Sequence, residues 1–167
     1  ELACALANED PARAVTHNKG IMNGIASLAL ATMNDTRALE AAAHAWSAKD
    51  GRIRSLSAFV TDGTTLSGAL ELPLAFGVVG GSTDIHPSAR AALRLLGNPG
   101  SMELARIGAA LGLAQNFSAL LALVTRGIQS GHMKYHAARI AYKAGARGSE
   151  IRVVAEQLAL QKDYSSS

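Results

Sequence analysis

A lysine, an aspartate and two asparagines lie within one stretch of the sequence where their types and spacing could do chemistry. Lys19 stands between Asn18 and Gly20, Asn23 follows four residues later, and Asp35 comes after an apolar segment. A buried lysine needs a carboxylate or amide partner, because an isolated ammonium away from water is costly and loses its proton. The pattern indicates a Lys19 that Asp35 keeps charged and that stabilises a developing oxyanion. The alternative is a solvated loop lysine and an aspartate that only caps a helix.

A pair of histidines late in the chain is a second candidate for chemistry. His132 and His136 are four residues apart after Gly131, so their side chains share one face of a helix. A histidine that titrates near neutral pH can donate a proton to a leaving thiolate. A structural histidine pair is the alternative. Zinc is less favoured because the local motif supplies no third ligand, so no metal is predicted.

Three further features could bind a ligand. Arg13 could form a two-pronged pair with a carboxylate, although a lone arginine is more often a surface residue. Gln115 and Asn116 interrupt an apolar segment, where two amides must bond to protein or to ligand. Residues 77–83 (GVVGGST) form a glycine-rich turn whose backbone N–H groups are free to bind. This turn lacks the spacing of a dinucleotide fingerprint and the lysine of a phosphate loop.

Mostly helical elements are needed to position these residues. The composition is 49% hydrophobic but only 4% aromatic, and its many Ala and Leu residues favour helix. Residues 11–20 are predicted to form a polar loop, and residues 129–131 a hinge-like break. Short β-prone runs joined at Asp62-Gly63 predict a hairpin over residues 56–74. Helices are predicted over residues 1–10, 21–32, 36–48, 87–96, 101–128, 133–144 and 150–160.

Composition excludes several classes of protein. The 16 basic and 13 acidic residues give a net charge of +3, far from the footprint of a nucleic-acid-binding protein. The single cysteine, Cys4, cannot form an internal disulfide and fits a reducing compartment. Gly, Asn, Arg or Asp interrupts every apolar stretch before the roughly 20 residues that cross a bilayer. We therefore expect a cytoplasmic protein without a membrane or nucleic-acid partner.

Five segments, in order along almost all of the chain, resemble the class II, mainly bacterial, 3-hydroxy-3-methylglutaryl-coenzyme A (HMG-CoA) reductases. They are RAVTHNKGIMNG at residues 13–24, NDTRALE at 34–40, GVVGGST at 77–83, residues 108–117, and GHM at 131–133. The resemblance is to the carboxy-terminal part of the family and implies an α+β fold. Residues 1–128 would be the later part of the large substrate-binding and dimerisation domain. Residues 129–167 would be a helical carboxy-terminal flap.

The resemblance also implies roles for the candidate residues. Lys19 would be the catalytic lysine, with Asp35 as its carboxylate partner and Asn23 in the same hydrogen-bonded cluster. His132 would protonate the departing coenzyme A thiolate, and His136 would lie near coenzyme A. The substrate's carboxylate and neighbouring oxygens would meet Arg13, Thr16 and Gln115. The family's reaction interconverts HMG-CoA with mevalonate and coenzyme A, using two hydrides from NAD(H) or NADP(H), in a homodimer or a higher oligomer of dimers.

The sequence departs from the family's pattern in two ways. Met33 stands where glycine is usual and Ala26 where an acidic residue is common, which suggests local adjustment. The family's catalytic glutamate and its nucleotide-binding small domain match nothing in these 167 residues. The chain alone is therefore expected to be inactive. The alternatives are a catalytically incomplete remnant that binds coenzyme A or forms dimers, and an alanine-rich helical scaffold without a ligand.

Overall fold

The protein is described by a computed structural model over residues 1–125 and 128–161, with side chains described for residues 1–125 and 136–159. These ranges contain helices and one antiparallel sheet, which confirms the predicted α+β class. The elements are α1 (Leu2–Glu9), α2 (Pro11–Ala31), α3 (Thr36–Ser47), β1 (Ser57–Thr61), β2 (Leu66–Leu70), α4 (Pro87–Leu95), α5 (Ser101–Val124), α6 (Ile128–Lys143) and α7 (Glu150–Gln161). The chain divides into two compact units, Glu1–Leu120 and Leu121–Ser167.

Helix α2 begins ten residues earlier than the sequence indicates. The polar stretch at residues 11–20, predicted to be a loop, forms its first half. Asp10 caps the helix with its side chain, and Pro11 occupies the first helical position, where its missing N–H has no effect. His17 and Asn18 are buried and hydrogen-bonded to other elements. The loop prediction is wrong because tertiary partners satisfy these polar side chains within the helix.

The predicted hairpin is confirmed, although its second strand is shorter than expected. Strands β1 and β2 pair antiparallel, with Ser57 opposite Leu70 and Thr61 opposite Leu66. Asp62 closes the turn, and its carboxylate accepts hydrogen bonds from the backbone N–H groups that follow it. These bonds, that of Thr65 first, lower the pKa of Asp62 to about 2. The charged aspartate therefore fixes the turn throughout the neutral range.

Glycines let α2 and α5 approach closely at the centre of the first unit. A Cβ atom at Gly112 would lie 2.8 Å from Cδ1 of Ile25, and one at Gly24 would lie 3.1 Å from the carbonyl oxygen of Leu111. The buried residues of α5 recur at every fourth position, which places them on one face towards the core. These residues are Leu104, Gly108, Gly112 and Asn116. The two helices therefore pack as a close pair that includes the Lys19 segment.

Helix α5 contradicts one expectation. By length and composition alone it could cross a bilayer, so the prediction that every apolar stretch is interrupted too early is wrong. Its two charged residues, Glu103 and Arg106, lie in the first two turns, and the rest of the helix contains no charge. Asn116 on its buried face is 1% exposed and hydrogen-bonded to Ser57. That face is therefore built for contacts within the protein.

The second unit consists mainly of two helices that pack on each other, α6 and α7. Ala137 and Ala141 of α6 are fully buried. A short turn joins the helices, and within it the Arg147 guanidinium lies 4.4 Å from the centre of the Tyr142 ring. Residues 129–131 lie inside α6, so the hinge-like break predicted there is wrong. The functional labels for residues 1–128 and 129–167 stay predictions.

Candidate functional site

Lys19 lies at a cavity of about 610 Å³ lined by residues of α2 and α3. The predicted site residue Asn23, one helical turn later on α2, lines the same cavity. Glu40 and His44, which are also one turn apart, line it from α3. The cavity therefore combines a cation, an amide, a carboxylate and an imidazole with an apolar wall. Its other lining residues are Val15, Asn18, Met22, Ala26, Ala41, Ala43, Ser47 and Leu56.

Asp35 does not line the Lys19 cavity, and its carboxylate is occupied at the start of α3. It accepts hydrogen bonds from the backbone N–H groups of Arg37 at 3.0 Å and Ala38 at 3.2 Å. The N–H of Ala38 is the main cause that lowers the pKa of Asp35. The Arg37 side chain adds an ion pair at 3.6 Å, with both partners exposed. Asp35 therefore caps helix α3, which is the alternative role that the sequence allowed for it.

The predicted pairing of Lys19 with Asp35 is absent from a single chain. Among the described residues, no ion pair within 4.0 Å joins the two. Lys19 lies twelve residues before Ala31, the last residue of α2, which is about 18 Å along the helix axis. Asp35 follows that same end, where the backbone N–H of Asn34 bonds to the carbonyl of Ala29 at 2.7 Å. The helical hairpin therefore holds the two charged groups apart.

Three further predicted residues lie along α2 or beside it. Arg13 is half-buried, and its guanidinium donates to the hydroxyl of Thr16, which in turn donates to the Arg13 carbonyl at 3.0 Å. A Cβ atom at Gly24 would lie 3.1 Å from the Cβ of Gln115, so Gln115 packs against α2 beside Asn23. Arg13 and Thr16 are thus brought together, and Gln115 reaches the same helix from α5.

The two predicted histidines lie in α6, in the second unit. His136 is exposed there. The side chain of His132 lies outside the described residues. Both positions belong to α6, four residues apart, and that the two side chains share a face stays a prediction.

The glycine-rich turn at residues 77–83 uses two of its backbone N–H groups within the protein. Gly77 donates to the side-chain oxygen of Asn34 at 2.7 Å, and Gly80 donates to the carboxylate of Asp84 at 2.8 Å. The expectation that the turn's N–H groups are free to bind is wrong for these two. The hydrogen bond from Gly77 attaches the turn to Asn34, which lies in the connection between α2 and α3.

A buried polar cluster next to Lys19 was missed by the sequence analysis. His17 Nε2 lies 2.7 Å from Ser57 Oγ, and that hydroxyl donates to Asn116 Oδ1 at 2.8 Å. One signal was available in the sequence, because the Gln115-Asn116 pair in an apolar segment required partners. The structure supplies them for Asn116. His17 gave no comparable signal, since the polar stretch around it indicated a loop.

The pKa of His17 is lowered to about 4, first by burial of the ring and then by the positive charge of Arg13. The folded chain therefore holds this histidine neutral, whereas the unfolded chain protonates it near its ordinary pKa of about 6.5. Below that value the unfolded state binds the extra proton, so stability falls as pH drops towards 4. From about one pH unit above 6.5, His17 is neutral in both states and no longer makes the free energy of unfolding depend on pH.

We expect acidification to destabilise the protein through His17. Between pH 7 and pH 4, protonation of the unfolded state at this residue removes about 3 kcal/mol of the free energy of unfolding. A His17→Gln variant, which cannot titrate, loses this part of the pH dependence. Urea unfolding of both proteins at several pH values measures it. Parallel stability curves for the two proteins over that range would contradict the assignment.

A family model matches this chain over most of its length. The model for hydroxymethylglutaryl-coenzyme A reductase matches residues 2–137, which include every predicted site residue. The 3-hydroxy-3-methylglutaryl-coenzyme A reductase of Archaeoglobus fulgidus is 52% identical over 156 residues, 93% of this chain and 36% of that protein. The probable reductase of Borreliella burgdorferi is 42% identical over 140 residues, 84% of this chain and 32% of that protein.

Solved structures agree with the family match. A class II 3-hydroxy-3-methylglutaryl-CoA reductase from Streptococcus pneumoniae, solved bound to NADPH in open conformations, superposes with a TM-score of 0.72 at 47% identity. The match covers 98% of this chain and 40% of that one. Another structure of the Streptococcus pneumoniae enzyme gives a TM-score of 0.73 at 46% identity, covering 99% of this chain and 39% of that one. The chain thus spans about two fifths or less of its relatives' length, and it belongs to the hydroxymethylglutaryl-coenzyme A reductase family, where it resembles the class II enzymes.

Proposed function

We propose that the polypeptide containing this chain is an HMG-CoA reductase that interconverts HMG-CoA with mevalonate and coenzyme A, using NAD(H) or NADP(H). The observation that carries the proposal is the cavity that Lys19 and Asn23 line together on α2. Both residues belong to the segment that matches the family model. The relative solved with NADPH supports a nicotinamide cofactor.

The glycine-rich turn is a poor cradle for the phosphates of that cofactor. The turn at residues 77–83 is its best backbone candidate, yet the N–H groups of Gly77 and Gly80 are bonded to Asn34 and Asp84. Dinucleotide phosphates need such N–H groups to be free. We therefore assign to this chain the handling of the thioester and its charge.

Lys19 is assigned to the oxygen of the substrate's thioester carbonyl. Reduction of that carbonyl places negative charge on the oxygen, and a fixed ammonium stabilises this charge more than it stabilises the neutral ground state. Asn23 lies one turn away on the same cavity and can donate an amide N–H to the same region. Met22 and Leu56 form an apolar wall beside these two polar groups.

We assign the carboxylate partner of Lys19 to Asp35 of a second copy of the chain. Within one copy, about 18 Å of α2 lies between Lys19 and the helix end that Asp35 follows. In a two-fold dimer, residue i of one copy can meet residue j of the other, so an antiparallel approach of two α2–α3 hairpins brings Lys19 to Asp35 twice. The proposed assembly is accordingly a homodimer or an oligomer of dimers, and each active site contains residues of both copies.

The remaining assignments follow the resemblance to the family. Arg13 and Thr16, already joined by a hydrogen bond, would hold the substrate's free carboxylate, with Gln115 beside them. His132 would donate the proton that the departing coenzyme A thiolate needs, and His136 would contact coenzyme A. The enzyme is proposed to be cytoplasmic, which agrees with the free, buried Cys4.

The second candidate function is a catalytically incomplete remnant that binds coenzyme A or forms dimers. This alternative concerns the 167 residues alone, which span 36% and 40% of the length of two of the relatives. Titration with HMG-CoA and coenzyme A, followed by calorimetry and by nicotinamide absorbance, separates the two. Turnover supports the reductase. Binding of coenzyme A without turnover by the full-length polypeptide supports the remnant and refutes the reductase.

A further inference from the structure

We propose that His17 is a positioning residue for the reductase reaction and fixes, through Ser57 and Asn116, the direction in which Lys19 projects. This inference rests on the proposed function. The three residues come from α2, β1 and α5, and they are 4%, 4% and 1% exposed. We call them the His17 node. The node lies two residues before Lys19 and joins three elements of the first unit.

The hydrogen bonds of the His17 node have a defined direction. The Ser57 hydroxyl has one proton, which it donates to Asn116 Oδ1 at 2.8 Å. It can therefore only accept from His17 Nε2, 2.7 Å away, so the ring carries its proton on Nε2. His17 Nδ1 is buried and has no hydrogen-bond partner among the described side chains, which suits a lone pair better than an N–H. The Asn116 amide completes the node by donating to the His17 carbonyl at 3.4 Å.

Asn18 ties the next residue of α2 to the same part of the chain. Its amide donates to the Arg54 carbonyl at 2.8 Å and accepts from the Leu56 N–H at 2.9 Å. Two consecutive residues of α2 are therefore bonded to the segment that leads into β1. Such bonds resist rotation of the helix about its axis, because any rotation breaks several buried hydrogen bonds together.

The rotation of α2 decides where Lys19 points. Successive helical residues are about 100° apart, so fixing His17 and Asn18 on the buried side also fixes Lys19 and Asn23 towards the cavity. Side-chain contacts of the lysine do not fix it, since Lys19 is exposed and forms no ion pair among the described residues. A displacement of about 1 Å at a reacting group can lower a rate about 100-fold. The His17 node is therefore well placed to control kcat.

Three substitutions in the full-length polypeptide test the role. Ser57→Ala and His17→Leu remove the node, and we expect kcat to fall at least about tenfold while KM changes less than about twofold. His17→Gln places an amide N–H near the position of Nε2–H and restores kcat to within about threefold of the unsubstituted protein. Loss of the same size in His17→Gln and His17→Leu would overturn the proposal.

Cys4→Ala is the matched control for simple loss of stability. Cys4 is 3% exposed and its thiol donates to the Ser57 carbonyl at 3.3 Å, so the substitution disturbs the same strand but leaves the node's side chains intact. We expect a lower melting temperature with unchanged kcat. Circular dichroism checks that both variants are folded. If Cys4→Ala and Ser57→Ala then lose kcat equally, the His17 node has only a structural role.

A second readout separates this inference from the proposed function. After reductive methylation with ¹³C-formaldehyde, the Lys19 methyl signal, assigned with Lys19→Arg, reports the surroundings of the amine. We expect it to shift in Ser57→Ala and His17→Leu but to stay in place in His17→Gln and Cys4→Ala. If HMG-CoA is not reduced but the signal shifts as expected, the reductase assignment fails and the positioning holds. An unchanged signal in folded Ser57→Ala overturns the positioning.

Discussion

If the proposed function holds, we expect replacement of Lys19 by alanine in the full-length polypeptide to lower kcat for HMG-CoA reduction by about 10²- to 10³-fold. That is the range observed when one donor to a developing oxyanion is removed. The reason is that Lys19 supplies an ammonium to a cavity whose other polar groups are amides, a hydroxyl, a carboxylate and an imidazole. KM for HMG-CoA should change much less, because the charge forms only as the carbonyl is reduced. Steady-state oxidation of the nicotinamide cofactor measures both constants.

Lys49→Ala is the matched control for this substitution. Lys49 lies 3.7 Å from the centre of the Trp46 ring and 3.8 Å from the Glu71 carboxylate, and it does not line the Lys19 cavity. Its removal should leave kcat within about twofold, since exposed ion pairs contribute little. Near-normal turnover in Lys19→Ala, or equal losses in the two variants, would refute the role assigned to Lys19.

Mixing two inactive variants should restore activity. If Lys19 of one copy meets Asp35 of the other, a hybrid dimer of Lys19→Ala and Asp35→Ala subunits has one site with both lesions and one intact site. Random exchange makes about half of the dimers hybrid, so the mixture regains about a quarter of the unsubstituted activity. Turnover after the two purified variants are unfolded together and refolded measures the recovery.

The same mixture gives the opposite result if both residues act within one chain. Every site then contains one lesion, and activity stays at the level of the separate variants. Asp35→Asn serves as the control for the helix cap, because asparagine keeps the side-chain oxygen that accepts from Arg37 and Ala38 but has no charge. Inactive Asp35→Asn with an unchanged melting temperature would assign the loss to the carboxylate's charge. Full activity in Asp35→Asn would exclude Asp35 as the partner of Lys19.

Local rules predicted the helices and the hairpin well, because capping and turn residues act over a few positions. Asp35 at the start of α3, Pro87 at the start of α4 and Asp62 in the turn all act as the sequence indicates. The first half of α2 was missed because the partners of His17 and Asn18 lie about forty residues or more away along the chain. Local propensity contains no information about such partners.

The sequence predicted some residues of the candidate site, such as Lys19 and Asn23, better than it predicted how the site is arranged in space. Lys19 and Asn23 share a cavity because four residues make about one helical turn. Glu40 and His44 were not predicted, since their approach depends on how α3 packs on α2. The distance from Lys19 to Asp35 follows from the length of α2, which the predicted loop concealed.

The crossing of α2 and α5 restricts which amino-acid substitutions this protein can accept during evolution. At Gly24 the contact is between one helix and a backbone oxygen of the other, 3.1 Å from where a Cβ atom would lie. A side-chain contact can be exchanged for another of similar volume, but main chain against main chain has no substitute. Any side chain at Gly24 would need the backbone of α5 to move by a few tenths of an ångström, so substitution at this crossing, unlike exchange of one side-chain contact for another, displaces the main chain beside Asn23.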